Sequence, residues 1–465
     1  MRNFKINSGH VTAWQPVYAN SLTAYNPELW ARESVAILEE SMVFGGLVHR
    51  DFNNEIARFG DIVNTRKPAE FQTNMFANGT DVTYQDASAT NVPVKLDTVA
   101  DVSFKIYDLE QSYSFANLVS TYLQPAILSI ARTVDRKIAG QAAQFLTNRT
   151  TGQIGTAVTQ AKLVATEKQL NDQKVPDLGR NLVVCSAGKA DILGTAIFTQ
   201  ADMAGTDSAL RRAHMGDLFG MNTYMSLNVP STTSAAEETA STTTANSLAG
   251  ATVIAATPNV LAGGYFTVAG DLTPLRVLST AATYNLTTTR AVREATTSGN
   301  ALRWFTQGAV DSPAAADYPI GHTGFVHVDT LAAGPHVGQL VSFGSGASAG
   351  AEYVICEVLN KATNDYDLVL DRGLDAVVSD GDKVNYGPQM NMNFAFHRNA
   401  ITLVNRPLEV AAGAAGANMA VASSRNISIR VSTSWSQDAK ALKVSVDALF
   451  GVKTLDTDLG CVLLS

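Results

Sequence analysis

The chain has 465 residues, of which 46% are hydrophobic and 16% are charged, so it is long and apolar enough to bury a large core. Its net charge of −8 lies in residues 231–390, which hold 15 acidic and 7 basic residues and leave 27 of each for the rest of the chain. That balance argues against a dedicated nucleic-acid-binding protein, which presents a basic face to phosphates. No secretory signal and no apolar run of about 18 residues is visible, so no membrane partner is predicted.

The three cysteines, Cys185, Cys356 and Cys461, are far apart and odd in number. They have neither the spacing of a metal site nor that of a disulfide framework. We expect buried free thiols and folding in a reducing cytoplasm.

Residues 1–50 begin with an N-terminal arm that runs to about Asn26. Asn26 and Pro27 together form a helix-start signal, an N-cap side chain followed by a proline at the first helical position. The pattern predicts a helix from Pro27 that ends at Gly45 and Gly46.

Residues 51–111 are extended, polar and rich in turn residues. Val99, Val102, Phe104 and Ile106 alternate in part, which predicts one long strand over 94–111. Because a ribbon with so little apolar content cannot bury itself, we expect it to be solvated or to lie against a partner. A disordered loop is the alternative.

Residues 112–157 contain the strongest helical signal, from Ser114 to Asn148. Roughly thirty helical residues at about 1.5 Å each predict a helix near 45 Å long. Pro125 either kinks this helix or opens its main part, which makes it a candidate hinge. A helix with a single apolar stripe usually lies across a sheet. The stripe consists of Val119, Leu123, Ile127, Ile130, Val134, Ile138, Ala142 and Phe145.

Residues 158–230 have an α/β pattern, to which the chain returns over 391–465. The first part predicts helices over 160–173 and 186–193, a buried strand over 182–185 and an extended segment over 222–229. The second part predicts apolar strands that reach the C-terminus.

Residues 231–390 open with a Ser- and Thr-rich stretch that predicts a linker or flexible loop over about 231–260. Short apolar runs separated by Gly, Asn and Asp follow and predict a compact β-barrel or sandwich. We interpret this segment as a domain inserted into an α/β body. The runs are GYFTVAG, FVHVDT, GQLVSFG, EYVICEVLN, YDLVLD and DKVNYG.

No motif in the sequence predicts a catalytic, metal-binding or phosphate-binding site. Ser186 to Lys189 resembles the end of a phosphate loop, but Val183 stands where that loop needs glycine. His322, His327 and Asp329 could bind a metal, but strand residues five apart point to opposite faces, so a solvated or packed histidine pair is favoured. We predict no catalytic residue, no metal and no cofactor.

Four short segments give a family resemblance by their order and spacing. The chain resembles the major capsid proteins of tailed phages, and within them the coat proteins of the Salmonella podovirus P-22 type. That resemblance implies an α+β Hong Kong 97 (HK97-like) capsid fold with an inserted all-β, barrel-like domain. The segments are GGYFTVAG at 263–270, NMNFAFHRNAITL at 391–403, ISIRV at 427–431 and VDALFGVKTL at 446–455.

The resemblance also implies a domain layout. It assigns 1–50 to the N-arm and its helix, 51–111 to the E-loop, and 112–157 to the spine helix and peripheral (P) domain. It assigns 158–230 to the first part of the axial (A) domain and 231–390 to the insertion (I) domain. Residues 391–465 return to the A-domain and add the terminal strands of the P-domain.

The implied function is that of a non-enzymatic bacteriophage capsid protein, assembled in the host cytoplasm and located in the virion. Its copies would form hexamers and pentamers of an icosahedral shell around double-stranded DNA, without sequence-specific binding. Implied partners are a separate scaffolding protein, a portal protein and, in some shells, a cement or decoration protein. The shell would mature with a spine helix that bends at Pro125, and the acidic insertion would project outward.

Basic residues of the extended loop are the candidates for contacts between subunits. Arg58, Arg66 and Lys67 are candidates for ion pairs with a neighbouring copy. Some capsids link a loop lysine covalently to a neighbour's asparagine, but for Lys67 and Lys95 ordinary charge contacts are favoured.

Three other readings stay open at this point. An encapsulin-like compartment would have the same fold around a protein cargo. A β-rich adhesin or tail protein would leave the long helix unexplained. A cytosolic enzyme with a β insertion would need a convergent polar pocket.

Overall fold

The structure is a computed structural model, and it describes the larger part of the chain. The residues it describes are 27–50, 62–67, 73–75, 78, 81, 84, 90–107, 122–150, 154–195, 215–232, 237–256, 263–269, 271–280, 285–305, 307–312, 317–330, 334–344, 351–362, 364–408, 417–424, 427–438 and 440–465. The N-arm expected over 1–26 lies outside these ranges.

The α-helices of the described residues are α1 Pro27–Ser41, α2 Phe44–Leu47, α3 Gln124–Gly140, α4 Gln160–Asp172 and α5 Ser186–Leu193. Short 3₁₀ turns cover Gln141–Phe145, Arg398–Ala400 and Thr457–Leu459. None of the helices in these ranges is both long and apolar enough to span a bilayer.

The strands fall into groups that are described below. In chain order they are β1 Ile62–Lys67, β2 Thr90–Lys95, β3 Thr98–Tyr107, β4 Arg180–Val184, β5 Asp217–Leu218, β6 Met221–Met225, β7 Glu237–Thr242, β8 Val253–Ala255, β9 Tyr265–Val268, β10 Asp271–Thr280, β11 Asn285–Thr288, β12 Ala301–Phe305, β13 Gln307–Val310, β14 Val326–Thr330, β15 Leu340–Phe343, β16 Tyr353–Ala362, β17 Asp365–Leu370, β18 Lys383–Tyr386, β19 Met392–His397, β20 Ile401–Arg406, β21 Ala417–Ser424, β22 Ile427–Ser436, β23 Ala441–Thr454 and β24 Gly460–Leu464.

The first helix begins at the predicted proline but does not end at the predicted glycines. Helix α1 stops at Ser41, and Gly45 and Gly46 lie inside the separate short helix α2. The reason is a carboxylate from elsewhere in the chain. Asp135 accepts hydrogen bonds from the backbone N–H groups of Val43 (2.9 Å) and Gly45 (3.1 Å), which starts a new helical turn there.

Helix α3 covers only part of the predicted long helix. The prediction to Asn148 is wrong at its end, because the α-helix stops at Gly140, the 3₁₀ turn Gln141–Phe145 follows, and residues 146–148 are not helical. Pro125 lies in its first turn, after the π-helical residues Tyr122 and Leu123, so it opens the described α-helical part. Residues 114–121, including Val119, lie outside the described ranges. The rest of the apolar stripe is confirmed as buried: Leu123, Ile127, Ile130, Val134, Ile138, Ala142 and Phe145.

Helices α1 and α3 pack against one face of an antiparallel sheet, the C-terminal sheet. Its strands follow the order β20-β23-β22-β21. Strand β3 pairs with the edge of β23 opposite the one that pairs with β22. The alternation of β3 buries Ile106 and half-buries Val102 and Phe104 toward the helices. Val99 was predicted in the same stripe, but it is exposed on the opposite face because it stands an odd number of residues away.

A smaller α/β unit contains the sheet β24-β19-β4-β6-β5 and the helices α4 and α5. Strands β4 and β6 run parallel, and β19 and β24 bring the end of the chain back beside β4. The predicted helices over 160–173 and 186–193 are therefore present to within one residue.

Among the described residues, strands β1 and β2 pair only with each other, as an antiparallel ribbon. The single strand predicted over 94–111 is interrupted, because β2 ends at Lys95 and β3 starts at Thr98.

The segment between β6 and β19 forms two β units. One is the sheet β7-β12-β9-β10-β11-β8, and the other is the closed barrel β13-β14-β17-β16-β15-β18, each with an apolar core of its own. Five of the six predicted runs are barrel strands, while GYFTVAG contains β9 of the sheet. The flexible loop expected over 231–260 is wrong for β7 and β8. The threonines of β7 (EETAST) are well suited to a strand, and β8 is the apolar run VIA, which is too short to show a strand period.

Candidate functional site

The described candidate contact residues lie at opposite ends of the ribbon. Arg66 and Lys67 end β1, opposite Asn91 and Thr90, whereas Lys95 lies at the other end of the ribbon opposite Ile62. At about 3.3 Å per residue, Arg66 and Lys95 are about 13 Å apart along the ladder. Arg58 lies outside the described residues, so its role stays a prediction.

The root of the ribbon is fixed to the C-terminal sheet. Val94 and Leu96 are fully buried against Val404 and Leu449, on the face of that sheet opposite the helices. The approach is close at Gly451, where a Cβ atom would lie 2.3 Å from the carbonyl oxygen of Lys95. Only glycine fits there without displacing the ribbon.

The barrel of the same subunit also meets the ribbon root. The Thr323 hydroxyl donates a hydrogen bond to the Asp97 carbonyl oxygen at 3.3 Å. A Cβ atom on Gly321 would lie 3.4 Å from the Lys95 amine. Lys95, a candidate for contacts with a neighbour, is therefore close to its own barrel.

The barrel docks on helix α3 through buried polar groups. Gly140 lets Asp371 approach, and Gln141 donates a side-chain hydrogen bond to the same carboxylate at 3.1 Å. The backbone N–H of Val354 donates to Asp371 at 2.9 Å, and Arg372 pairs with it at 3.0 Å. The fully buried carboxylate is thus well supplied with donors, as a buried charge requires.

Two basic residues of α3 complete this contact. Arg136 donates to the carbonyl oxygen of Cys356 at 3.3 Å. Lys137 is only 3% exposed, and burial lowers its pKa, partly offset by nearby groups that include Asp371 and Asp97. Burial also raises the pKa of the Cys356 thiol well above its usual range. Lys137 and Gln141 were not singled out from the sequence, although both follow Ile130 and Val134 at helical spacing, a signal that could have identified them.

Asp135 joins three segments of the chain. It lies on α3, accepts the two backbone hydrogen bonds at the start of α2, and is 3.5 Å from the Asn228 side-chain amide, beyond β6. Burial raises the pKa of this carboxyl to about 6, and the backbone hydrogen bonds oppose that rise.

The two ends of the segment 231–390 pair with each other. Thr232 N–H donates to the carbonyl oxygen of Met390 at 3.1 Å, and Met392 N–H donates to that of Pro230 at 2.9 Å. Beside this neck, a Cβ atom on Gly338 would lie 2.6 Å from the Ser231 nitrogen, so the barrel touches the neck closely.

Buried arginines join the β7–β12 sheet to the barrel and to the segment after α3. Arg290 forms an ion pair with Glu352 of the barrel and donates to the Pro274 carbonyl oxygen at 3.1 Å. Arg149, after the 3₁₀ turn, donates to the Ala291 carbonyl oxygen at 2.8 Å. Burial lowers the pKa of both Arg149 and Arg290 to about 10.

The histidine motif is not assembled into a metal site. His327 pairs with Asp367, which also accepts an ion pair from Lys361 at 2.7 Å, while His322 contacts the Phe325 carbonyl oxygen at 3.1 Å. Asp329 stands opposite Asp365 in the register of β14 and β17. Within the described ranges no group of three or more His, Cys, Asp or Glu residues could hold a metal ion.

The predicted free thiols agree with the structure, since all three cysteines are unpaired and buried. Cys185 precedes α5 and its sulfur accepts the N–H of Gly188 at 3.3 Å, so the Ser186–Lys189 motif forms an ordinary helix start. Burial raises the pKa of Cys461 to about 12.

Comparison with known proteins gives similarities among solved structures only. No protein-family model matches the chain, and no curated protein does. The chain is similar to a chain of the structure named "Mycobacterium phage Che8", with a TM-score of 0.43, 13% identity, and 91% of this chain and 90% of that chain covered. It is also similar to a chain of "Capsid structure of the Cyanophage P-SCSP1u", with a TM-score of 0.41 and 12% identity, and with 91% of this chain and 87% of that chain covered. A third similar chain belongs to "Asymmetric unit of bacteriophage PhiM1 mature capsid", with a TM-score of 0.39 and 8% identity, and with 91% of this chain and 86% of that chain covered.

Proposed function

We propose that this chain is the major capsid protein of a bacteriophage, and that its copies assemble as hexamers and pentamers into an icosahedral shell around double-stranded DNA. The observation that carries the proposal is the ribbon β1–β2. It is rooted on the C-terminal sheet that α3 crosses, and it pairs with no other strand of the described residues. The sequence resemblance implies this order of loop, helix, α/β unit, β insertion and terminal strands.

Large apolar side chains that a single copy leaves in solvent support assembly. Met75 and Tyr84, both in the segment between β1 and β2, are 93% and 92% exposed. Leu178, Leu227 and Leu248 are more than three-quarters exposed on other parts of the surface. Contact of these side chains with a neighbouring copy would remove apolar surface from water, which favours association.

The domain roles belong to the same proposal. The E-loop over 51–111 lies across a neighbouring copy, and the A-domain over 158–230 gathers around the capsomer axis. The insertion over 231–390 projects outward, and its negative charge discourages shells from associating. A scaffolding protein, a portal protein and, in some shells, a cement protein are the partners, and assembly takes place in the host cytoplasm.

Movement of α3 is the proposed route of maturation. Pro125 lies in the first turn, where a change of direction breaks few intrahelical hydrogen bonds. The barrel contacts at Arg136, Lys137 and Gln141 lie far along the helix from Pro125, so the barrel would stay docked while the segment before Pro125 turns.

Negative-stain electron microscopy of the chain, expressed with and without a candidate scaffolding protein, tests the proposal. Closed shells of uniform diameter are expected with the scaffolding protein. Monomers in both preparations would contradict a capsid function. Shells that purify with an enzyme and without DNA would support the encapsulin-like alternative instead.

A further inference from the structure

The face of the C-terminal sheet opposite α1 and α3, here called the helix-free face, carries charges in ordered rows. Strands β3, β23 and β22 are adjacent, so residues in register form rows across them. The rows are Lys105, Lys443 and Ser434; then Ser103, Ser445 and Ser432; then Asp101, Asp447 and Arg430.

The lysine row is unusual because like charges stand directly opposite each other. Lys105 and Lys443 are in register and both exposed. Within the described ranges neither amine forms an ion pair. Two like charges directly opposite on antiparallel strands destabilise the pairing. A ligand of opposite charge would remove that cost.

A groove with hydroxyl groups lies beside the two amines. It has a volume of about 260 Å³ and is lined by both lysines and by Ser103, Ser432, Ser434 and Ser445. The hydroxyls of Ser432 and Ser434 make no hydrogen bond to any described residue, so they can donate to an acceptor in the groove. Two amines and two hydroxyls suit a group with several acceptor oxygens.

The carboxylates of the same face are already engaged. Asp447 accepts from Arg430 at 2.6 Å, and Ser445 donates to Asp101 at 2.6 Å. Asp101 stands four residues from Lys105, about 13 Å along the strand. Because that exceeds the Debye length of about 8 Å at physiological salt, the aspartates do not neutralise the lysines.

We propose that the lysine row of the helix-free face binds carboxylates of a second copy of this chain. A nucleic-acid strand fits this face poorly, because its closely spaced phosphates would meet Asp101 and Asp447 as well as the lysines. A protein segment with discrete carboxylates avoids that conflict. The chain itself supplies such groups, since residues 231–390 alone have eight more acidic than basic residues. The inference rests on the proposed function, in which every copy has copies as neighbours.

Carbodiimide crosslinking tests the proposal, because this reagent joins an amine directly to a carboxylate that it contacts. Shells are assembled from a mixture of unlabelled and ¹⁵N-labelled chains, crosslinked, and digested for mass spectrometry. We expect peptides that join Lys105 or Lys443 to an Asp or Glu, with mixed labels that mark a link between two copies. Shells that form but give no such link, or only links within one copy, would overturn the inference.

Variants supply a second measurement. The double variant Lys105→Gln and Lys443→Gln should raise the chain concentration needed for half-maximal assembly about three- to tenfold. Its melting temperature should not fall, because the substitution removes a repulsion. The control, Lys168→Gln and Lys383→Gln, removes the same charge from other exposed positions and should assemble like the wild type. Equal assembly of both double variants would contradict the inference, whereas the absence of shells from every chain would contradict the proposed function itself.

Discussion

The Cβ position of Gly140 lies 2.5 Å from the Cβ atom of Asp371, which is too close for any side chain at residue 140. Helix α3 therefore needs glycine at this point so that the barrel can dock. The Asp371 carboxylate in turn accepts the hydrogen bond of Gln141, the next residue of the chain.

We expect Gly140→Ala to lower the free energy of unfolding by about 1–3 kcal/mol. Alanine favours a helix by about 1 kcal/mol over glycine, but overpacking of a rigid contact costs more than that. Denaturant unfolding monitored by circular dichroism measures the change. Gly46→Ala is the matched control, because nothing lies within 4 Å of its Cβ position, and it should be neutral or stabilising. A neutral Gly140→Ala would mean that the barrel does not dock as described.

The ion pair of Arg290 with Glu352 should behave as a buried pair. Glu352→Gln leaves a buried guanidinium without its counter-charge, and we expect a loss of about 3–5 kcal/mol in the free energy of unfolding. The double variant Arg290→Met and Glu352→Leu removes both charges and should be much closer to the wild type. A double-mutant cycle made of Arg290→Met, Glu352→Leu and their double variant, followed by thermal unfolding, measures the coupling between the two residues. Additive losses would show that the two residues do not interact.

The sequence predicted elements better than the contacts between them. The steps of three and four from Leu123 to Phe145 predicted the buried face of α3, because helical spacing alone decides which residues share a face. No local pattern identifies Asp371 as the partner of Gln141, since the two residues are 230 positions apart. Strand β7 was missed because its sequence, EETAST, lacks apolar alternation, and β8 was missed because three residues are too few to show a period. Their partners, β12 and β11, come from other parts of the chain.

The surroundings of the candidate contact residues also depend on long-range contacts that the sequence does not reveal. Basic residues of the ribbon could be named from composition, but Lys95 is close to the barrel of its own subunit, which depends on the whole fold. Asp135 and Lys137 were not singled out because charged residues on a helix usually face solvent. Asp135 is buried where α2 starts on it, and Lys137 is buried where the barrel docks on α3.

Asp135 should make stability depend on pH. Its pKa is about 6 in the folded chain, whereas the ordinary pKa of an aspartate is 3.8. The folded state therefore holds the proton more tightly. Stability from this group is therefore greatest below about pH 4, falls as the pH rises toward about 6, and is level above that. A pKa difference of about two units changes the free energy of unfolding by about 3 kcal/mol.

The measurement compares the wild type with Asp135→Asn, which cannot titrate. We expect the free energy of unfolding of the wild type, relative to the variant, to decrease between about pH 4 and pH 6. A constant difference over that range would mean that the Asp135 carboxyl has an ordinary pKa.

Neutralising the basic residues of the ribbon should weaken assembly without unfolding the subunit. The triple variant Arg58→Gln, Arg66→Gln and Lys67→Gln removes three positive charges from a segment that precedes or lies within β1. Each exposed ion pair contributes about 0.2–1 kcal/mol, so three together should raise the concentration for half-maximal assembly about threefold or more.

Light scattering and electron microscopy of the assembled fraction measure that concentration. The control triple, Lys168→Gln, Lys174→Gln and Lys383→Gln, removes the same charge from exposed positions on α4, after α4 and on the barrel. If the two triple variants assemble equally well, the ribbon does not hold subunits together through these charges. If only the ribbon variant loses assembly and its circular dichroism is unchanged, the contact between subunits lies at the end of the ribbon that carries Arg66 and Lys67, not at the end that carries Lys95.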